Sequence, residues 1–177
     1  MAHRDSLMNR VIDHGASSYL RLVRGIEALT PLFDLSVRLY LANIFWKGGM
    51  VKLSSWMSTV MLFTMVYDVP VLPPEVAAYL STAVELGGSF LLVIGLAGRW
   101  AALSLFGLNI VAALSYGQLS EAALQEAFYW GVLFLYFVLH GPGLISVDAL
   151  LDRIYRRRHT MSTTDAAIPK QPIFHNA

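Results

Sequence analysis

The sequence predicts an all-α, polytopic membrane protein: a bundle of four transmembrane helices preceded by an amphipathic helix. Three observations predict it. The 177 residues are 56% hydrophobic and only 14% charged, with a mean hydropathy of +0.55, whereas an ordinary soluble domain is about one-quarter charged. Four stretches approach the ~20 apolar residues that a helix needs to cross a bilayer. The Lys and Arg residues gather in alternate connections between those stretches. The same composition argues against a disordered chain, a nucleic-acid module and a soluble enzyme. The formal net charge of +1 is no footprint for nucleic acid. Without a cysteine, the chain has no disulfide, thiolate zinc site or thiol redox centre of its own.

Residues 1–30 carry Arg4, Arg10, Arg21 and Arg24 among Asp5, Asp13 and Glu27, with Tyr19, Leu22, Val23, Ile26 and Leu29 at helical spacing. That pattern predicts an amphipathic helix lying on the membrane surface. The first span is expected over 32–51 and contains Arg38, Lys47 and the Gly48-Gly49 pair. Trp56–Tyr67 is apolar but too short to cross, so an interfacial or re-entrant helix is expected. The prolines of Val69–Pro74 then impose an extended stretch. The second span is expected over Val76–Leu96 with Glu85 as its only charge, and the third over Trp100–Tyr116 with none. The fourth is expected over Phe128–Ile145 with His140, leaving 117–127 as a loop. The membrane domain therefore occupies 31–152. The segment 153–177 begins with Arg153, Arg156, Arg157 and Arg158, a patch suited to anionic lipid, and continues from Met161 as a disordered tail.

The basic N-terminal segment, the turn at Arg99 and the basic C-terminal segment alternate with two connections that hold acids and no Lys or Arg. The positive-inside rule then puts both termini in the cytoplasm, with Lys47 and Lys52 as exceptions near the outer end of the first span.

An ionisable residue within a span is costly and marks a candidate site. Glu85 is expected to be the only buried carboxylate, within reach of Lys47 or Lys52. Arg38, Ala42, Phe45, Gly49 and Lys52 share one helix face, which is expected to point into the bundle. Arg38, Lys52, Glu85, Asn109 and His140 form the candidate intramembrane polar set, with Arg99 and Asp148 at the inner face. Met57, Met61 and Met65 recur at i, i+4, i+8. Thioethers suit Cu(I), but methionines also fill apolar helix faces. No phosphate loop, nucleophile elbow or HExxH is present, so no catalytic residue is assigned. No other metal ligand set stands at suitable spacing.

In order along the chain stand Arg38-Leu39-Tyr40-Leu41-Ala42-Asn43-Ile44-Phe45 with Gly49 and Lys52, Glu85-Leu86-Gly87-Gly88, Gly98-Arg99, and His140-Gly141-Pro142-Gly143 with Ser146 and Asp148. Over 32–152 the sequence thus resembles the DoxX family of small four-helix bacterial membrane proteins. The resemblance implies a multi-pass protein of the bacterial inner membrane, a subunit of a redox or oxidative-stress system that meets quinone or a redox partner. His140 would then donate a hydrogen bond to quinone and Glu85 relay a proton. Val71-Leu72-Pro73-Pro74-Glu75-Val76-Ala77-Ala78-Tyr79-Leu80 is similar to members encoded beside secreted peptides modified to bind copper. By that likeness the chain would be a non-enzymatic accessory for maturation, export or docking of such a peptide. Besides the lipid bilayer, the expected partners are therefore a redox subunit or a copper-binding peptide, and a bundle this small also suits oligomerisation.

Overall fold

A computed structural model describes residues 2–67, 69, 71–117 and 119–166, with the side chains of 2–18 and 158–166 outside the description. Six helices follow one another: α1 (Ala2–Ser54), α2 (Trp56–Met65), α3 (Pro74–Ile94), α4 (Gly98–Ser115), α5 (Glu121–His140) and α6 (Val147–Ala166). Among the described residues the only β-type pairing is an isolated antiparallel bridge between Tyr67 and Tyr116. Helices α3, α4 and α5 are each long and apolar enough to cross a membrane. The C-terminal half of α1 falls outside that class by composition, because Asp34, Arg38 and Lys47 lie close together in it. It nevertheless packs along α3 as the fourth rod of the bundle.

The expected break between an amphipathic helix and the first span is not there: α1 runs unbroken through Pro31. A proline there removes one backbone bond and crowds the carbonyl four residues earlier, and the helix continues through it with residues 24–30 all exposed. At 1.5 Å per residue α1 is about 80 Å long, so its N-terminal half projects beyond the bundle. There Leu22, Ile26 and Leu29 are exposed. The side chains of Arg4, Asp5, Arg10, Asp13 and Arg158, together with Asp68 and Pro70, lie outside the described residues, as do residues 167–177 of the expected disordered tail. The part of that tail from Met161 to Ala166 is instead the end of α6.

The last span is shifted from its expected place. α5 starts at Glu121 because the Ser120 hydroxyl accepts a bond from the Ala123 amide at 3.2 Å, a helix N-cap. It stops at His140 because Gly141 takes φ +87° ahead of Pro142. Residues 121–127 are therefore helix rather than loop, and 141–145 lie outside it.

The core forms where the four rods meet. Leu41, Ala42 and Phe45 of α1, Leu92 of α3, Leu105 of α4, and Phe134 and Phe137 of α5 are buried together. The Phe45 ring meets Phe134 edge-on at 5.1 Å and Trp130 at 5.8 Å, a favoured aromatic geometry. Small residues set the helix spacing. A Cβ on Gly49 would lie 2.7 Å from Leu86 Cδ2, and one on Gly88 would lie 2.9 Å from Leu105 Cγ. The Arg38-Ala42-Phe45-Gly49 stripe is buried, as its spacing requires.

Candidate functional site

The predicted polar residues separate into two ends of the bundle and one tie between helices. At the Lys52 end, the Lys52 Nζ donates to both carboxylate oxygens of Glu85 at 2.6 Å. The two side chains are mostly buried, 18% and 12% exposed. Gly48 faces the pair: a Cβ there would sit 3.4 Å from Glu85 Oε2, in ordinary contact. Lys47, the other candidate partner, is exposed. Just after Lys52 the chain turns, and the Thr59 hydroxyl of α2 donates to the Lys52 carbonyl at 3.0 Å, which fixes α2 against the end of α1.

This corner places α2 over the α3–α4 groove and leaves a cavity of about 290 Å³, predominantly apolar, with Lys52 and Glu85 in its wall. Phe63 and Tyr67 close one side, their rings stacked at 4.9 Å, and Tyr67 meets Tyr116 edge-on at 5.3 Å. Burial pushes the Tyr67 phenol pKa above its usual value, with smaller contributions from Tyr116 and Glu85. The phenol hydroxyl is a potential donor. Three serines line the cavity, Ser81, Ser104 and Ser115. The Met57, Met61 and Met65 side chains point away from it and are exposed, at 79%, 57% and 76%.

Asn109 is buried midway along α4, where its amide donates to the Ala127 carbonyl of α5 at 2.8 Å. It ties two helices and does not line the cavity.

The far end holds Arg38, Arg99, His140 and Asp148, and one residue that the sequence reading passed over. Asp34 is buried, so Glu85 is not the only buried carboxylate. Asp34 accepts a bond from the Tyr136 hydroxyl at 2.9 Å. The signal was present, since Asp34 stands at i, i+4 with Arg38 on the buried face of α1. Arg38 is 1% exposed and donates to the Ile145 carbonyl. Asp148 accepts from the Ala97 and Gly98 amides at 2.9 and 2.8 Å, capping α4 from the start of α6. His140 is exposed at the last position of α5, its ring stacked on Tyr136 at 4.6 Å. His140 and Arg99 border an open basin of about 1030 Å³ that also meets Glu27 and Asp152. His140 and Glu85 thus line different spaces, and Arg38 belongs to neither. Among the described residues no group of three His, Asp or Glu is placed to hold a metal ion.

Apolar rods of bilayer length, packed through small residues, with one ion pair beside an apolar cavity, define a helical membrane-embedded protein. Residues 33–118 match the DoxX family model. The match takes in the second half of α1 through α4, and hence Arg38, Lys52, Glu85, Arg99 and Asn109. His140 and Asp148 lie beyond it. No curated protein and no solved structure matches the chain.

Proposed function

We propose that the protein is the membrane subunit of a redox system, placed in the bacterial inner membrane with both termini cytoplasmic, and that its cavity receives the head group of a quinone. The observation that carries this reading is the cavity: about 290 Å³ of mainly apolar space with a single ion pair, Lys52 and Glu85, in its wall. Sites for flat, largely apolar molecules combine such walls with a few placed polar groups. A bound quinone would be reduced by two electrons from the partner subunit and two protons drawn ultimately from water. Lys52 has three N–H donors. Two face Glu85, which leaves the third to point a ring oxygen towards the pair. Glu85 is placed to hold a proton at that same position. Tyr67 offers a further donor in the cavity wall. His140, expected from the resemblance to meet the quinone, has no part in this cavity. The electrons come from a partner subunit.

The test is equilibrium binding of decylubiquinone, a short-tailed para-quinone, to the full chain in lipid nanodiscs, read by quenching of tryptophan fluorescence. Gly107 lines the cavity, and a Cβ there would meet nothing within 4 Å. Gly107→Leu should therefore occupy part of this space and weaken binding at least about tenfold. Gly107→Ala should bind like the parent. Equal binding by Gly107→Leu in folded protein would refute this site.

A second reading, an accessory for a secreted copper-binding peptide, is favoured by the exposed Met57-Met61-Met65 row on α2. Replacing all three by Leu should abolish Cu(I) retention at unchanged folding if that reading holds. Equal copper in both proteins would reject it.

A further inference from the structure

The cavity has an unused polar group. Ser115, the last residue of α4, is 5% exposed, and its Oγ has no hydrogen-bond partner. A serine in a helix ordinarily bonds back to a carbonyl of the preceding turn. The other two serines of the cavity do so: Ser81 donates to Ala78 O at 3.0 Å and Ser104 to Ala101 O at 2.9 Å. Ser115 alone of the three keeps its hydroxyl uncommitted while lining mainly apolar space. A buried hydroxyl without a partner is unfavourable, so it is expected where something else supplies the partner. The other orphaned serine hydroxyl, that of Ser89, borders a separate hollow between α1 and α3.

The position of Ser115 restricts what that partner is. Lys52 and Glu85 stand on α1 and α3, and Ser115 stands at the end of α4 beside Tyr116. Glu85 lies nine residues before the end of α3 and Ser115 seventeen residues after the start of α4, so across the short turn that joins these two packed helices Ser115 stands about 12 Å further along the bundle than Glu85. A lone carbonyl satisfies one polar group, whereas two groups set apart along one apolar chamber call for an acceptor at each end of the occupant.

We infer that Ser115 is the second polar anchor of this cavity and that the ligand is a ring bearing acceptors at opposite ends, a para-dicarbonyl, held by Lys52 and Glu85 at one end and by the Ser115 hydroxyl at the other. The inference rests on the quinone reading and adds a ligand-contacting residue and a two-point recognition rule to it.

The test compares decylubiquinone with an analogue of the same tail in which one ring carbonyl is replaced by a difluoromethylene carbon, which cannot tautomerise to a phenol, each titrated into the full chain in nanodiscs. The parent protein should prefer the dicarbonyl about five- to tenfold, the size of one buried hydrogen bond. Ser115→Ala should bind the two compounds alike, and Ser115→Thr, which keeps the hydroxyl, should retain the preference. A merely structural serine would change both affinities together and leave their ratio intact. If Ser115→Ala keeps the preference, the hydroxyl serves only a water and the inference falls while the quinone reading stands. If the parent protein binds neither compound above the lipid background, both fall.

Discussion

The Lys52 ammonium stands 2.6 Å from each oxygen of Glu85, across the interface where Gly49 lets α1 approach α3. An ion pair this enclosed is costly to break on one side. Removing one partner of a buried pair typically destabilises by about 3–5 kcal/mol, whereas removing both charges is far milder. Glu85→Gln alone should therefore lower the yield and melting temperature of monodisperse protein in detergent, and adding Lys52→Gln should restore much of both. Adding Lys47→Gln instead should restore nothing, because Lys47 is exposed. Rescue by Lys47→Gln would mean that the pairing is assigned to the wrong lysine.

Gly95 and Gly87 should respond in opposite ways to alanine. Gly95 ends α3 at φ +66°, and a Cβ there would run into Arg38 Nη1 and Ser146. The left-handed backbone alone costs an alanine about 1–2 kcal/mol, and the collision adds to it. Gly95→Ala should thus loosen the Arg38 end of the bundle and lower the melting temperature. Gly87 lies on the exposed face of α3 with nothing within 4 Å of its Cβ position. Gly87→Ala should be neutral or stabilising by up to about 1 kcal/mol, the helix preference of alanine over glycine.

Asp148 holds the start of α4 with both carboxylate oxygens, while its own amide donates to the Gly95 carbonyl at 3.0 Å. Loss of a helix cap costs about 1–2 kcal/mol. Asp148→Ala should speed hydrogen exchange at the amides of Ala97 and Gly98 and leave the amides of α5 unchanged. Unaltered exchange at 97 and 98 would show that the cap does not govern this helix end.

How far the sequence reached depends on which physical signal it contained. Glu85 was legible as a paired acid because a lone charge in an apolar run must find a partner. Which lysine it finds was not, because Lys47 and Lys52 lie at similar depth. They differ by five residues, roughly 140° around the helix, and only the rotation of α1 against α3 decides between them. The start of α5 was written locally in Ser120, but Glu121 and Glu126 pulled the reading towards a loop. Continuity through Pro31 was hidden because a proline after a charged stretch reads as a boundary, and Asp34 was overlooked beside the more conspicuous Arg38. The cavity and the idle Ser115 hydroxyl had no sequence signal at all, since both depend on where α2 folds across α3 and α4.

Asn109 offers an independent check on the α4–α5 contact. Its amide bond to the Ala127 carbonyl spans the two helices at 2.8 Å. Interhelical hydrogen bonds in membranes contribute about 0.6 kcal/mol on average, and up to roughly 1.7. Asn109→Leu should therefore lower stability by no more than that, with quinone binding unaffected because Asn109 lies outside the cavity. A large loss of binding at unchanged stability would move the site towards α5.

Quinone occupancy of the cavity can be read by mass spectrometry of the lipids that co-purify with the full chain from its native membrane, beside the cavity-filled Gly107→Leu protein. A near-stoichiometric quinone in the parent that falls to background in folded Gly107→Leu is the predicted result. Background quinone in both proteins would mean that the cavity holds no quinone and would leave the exposed methionine row of α2 as the site to test.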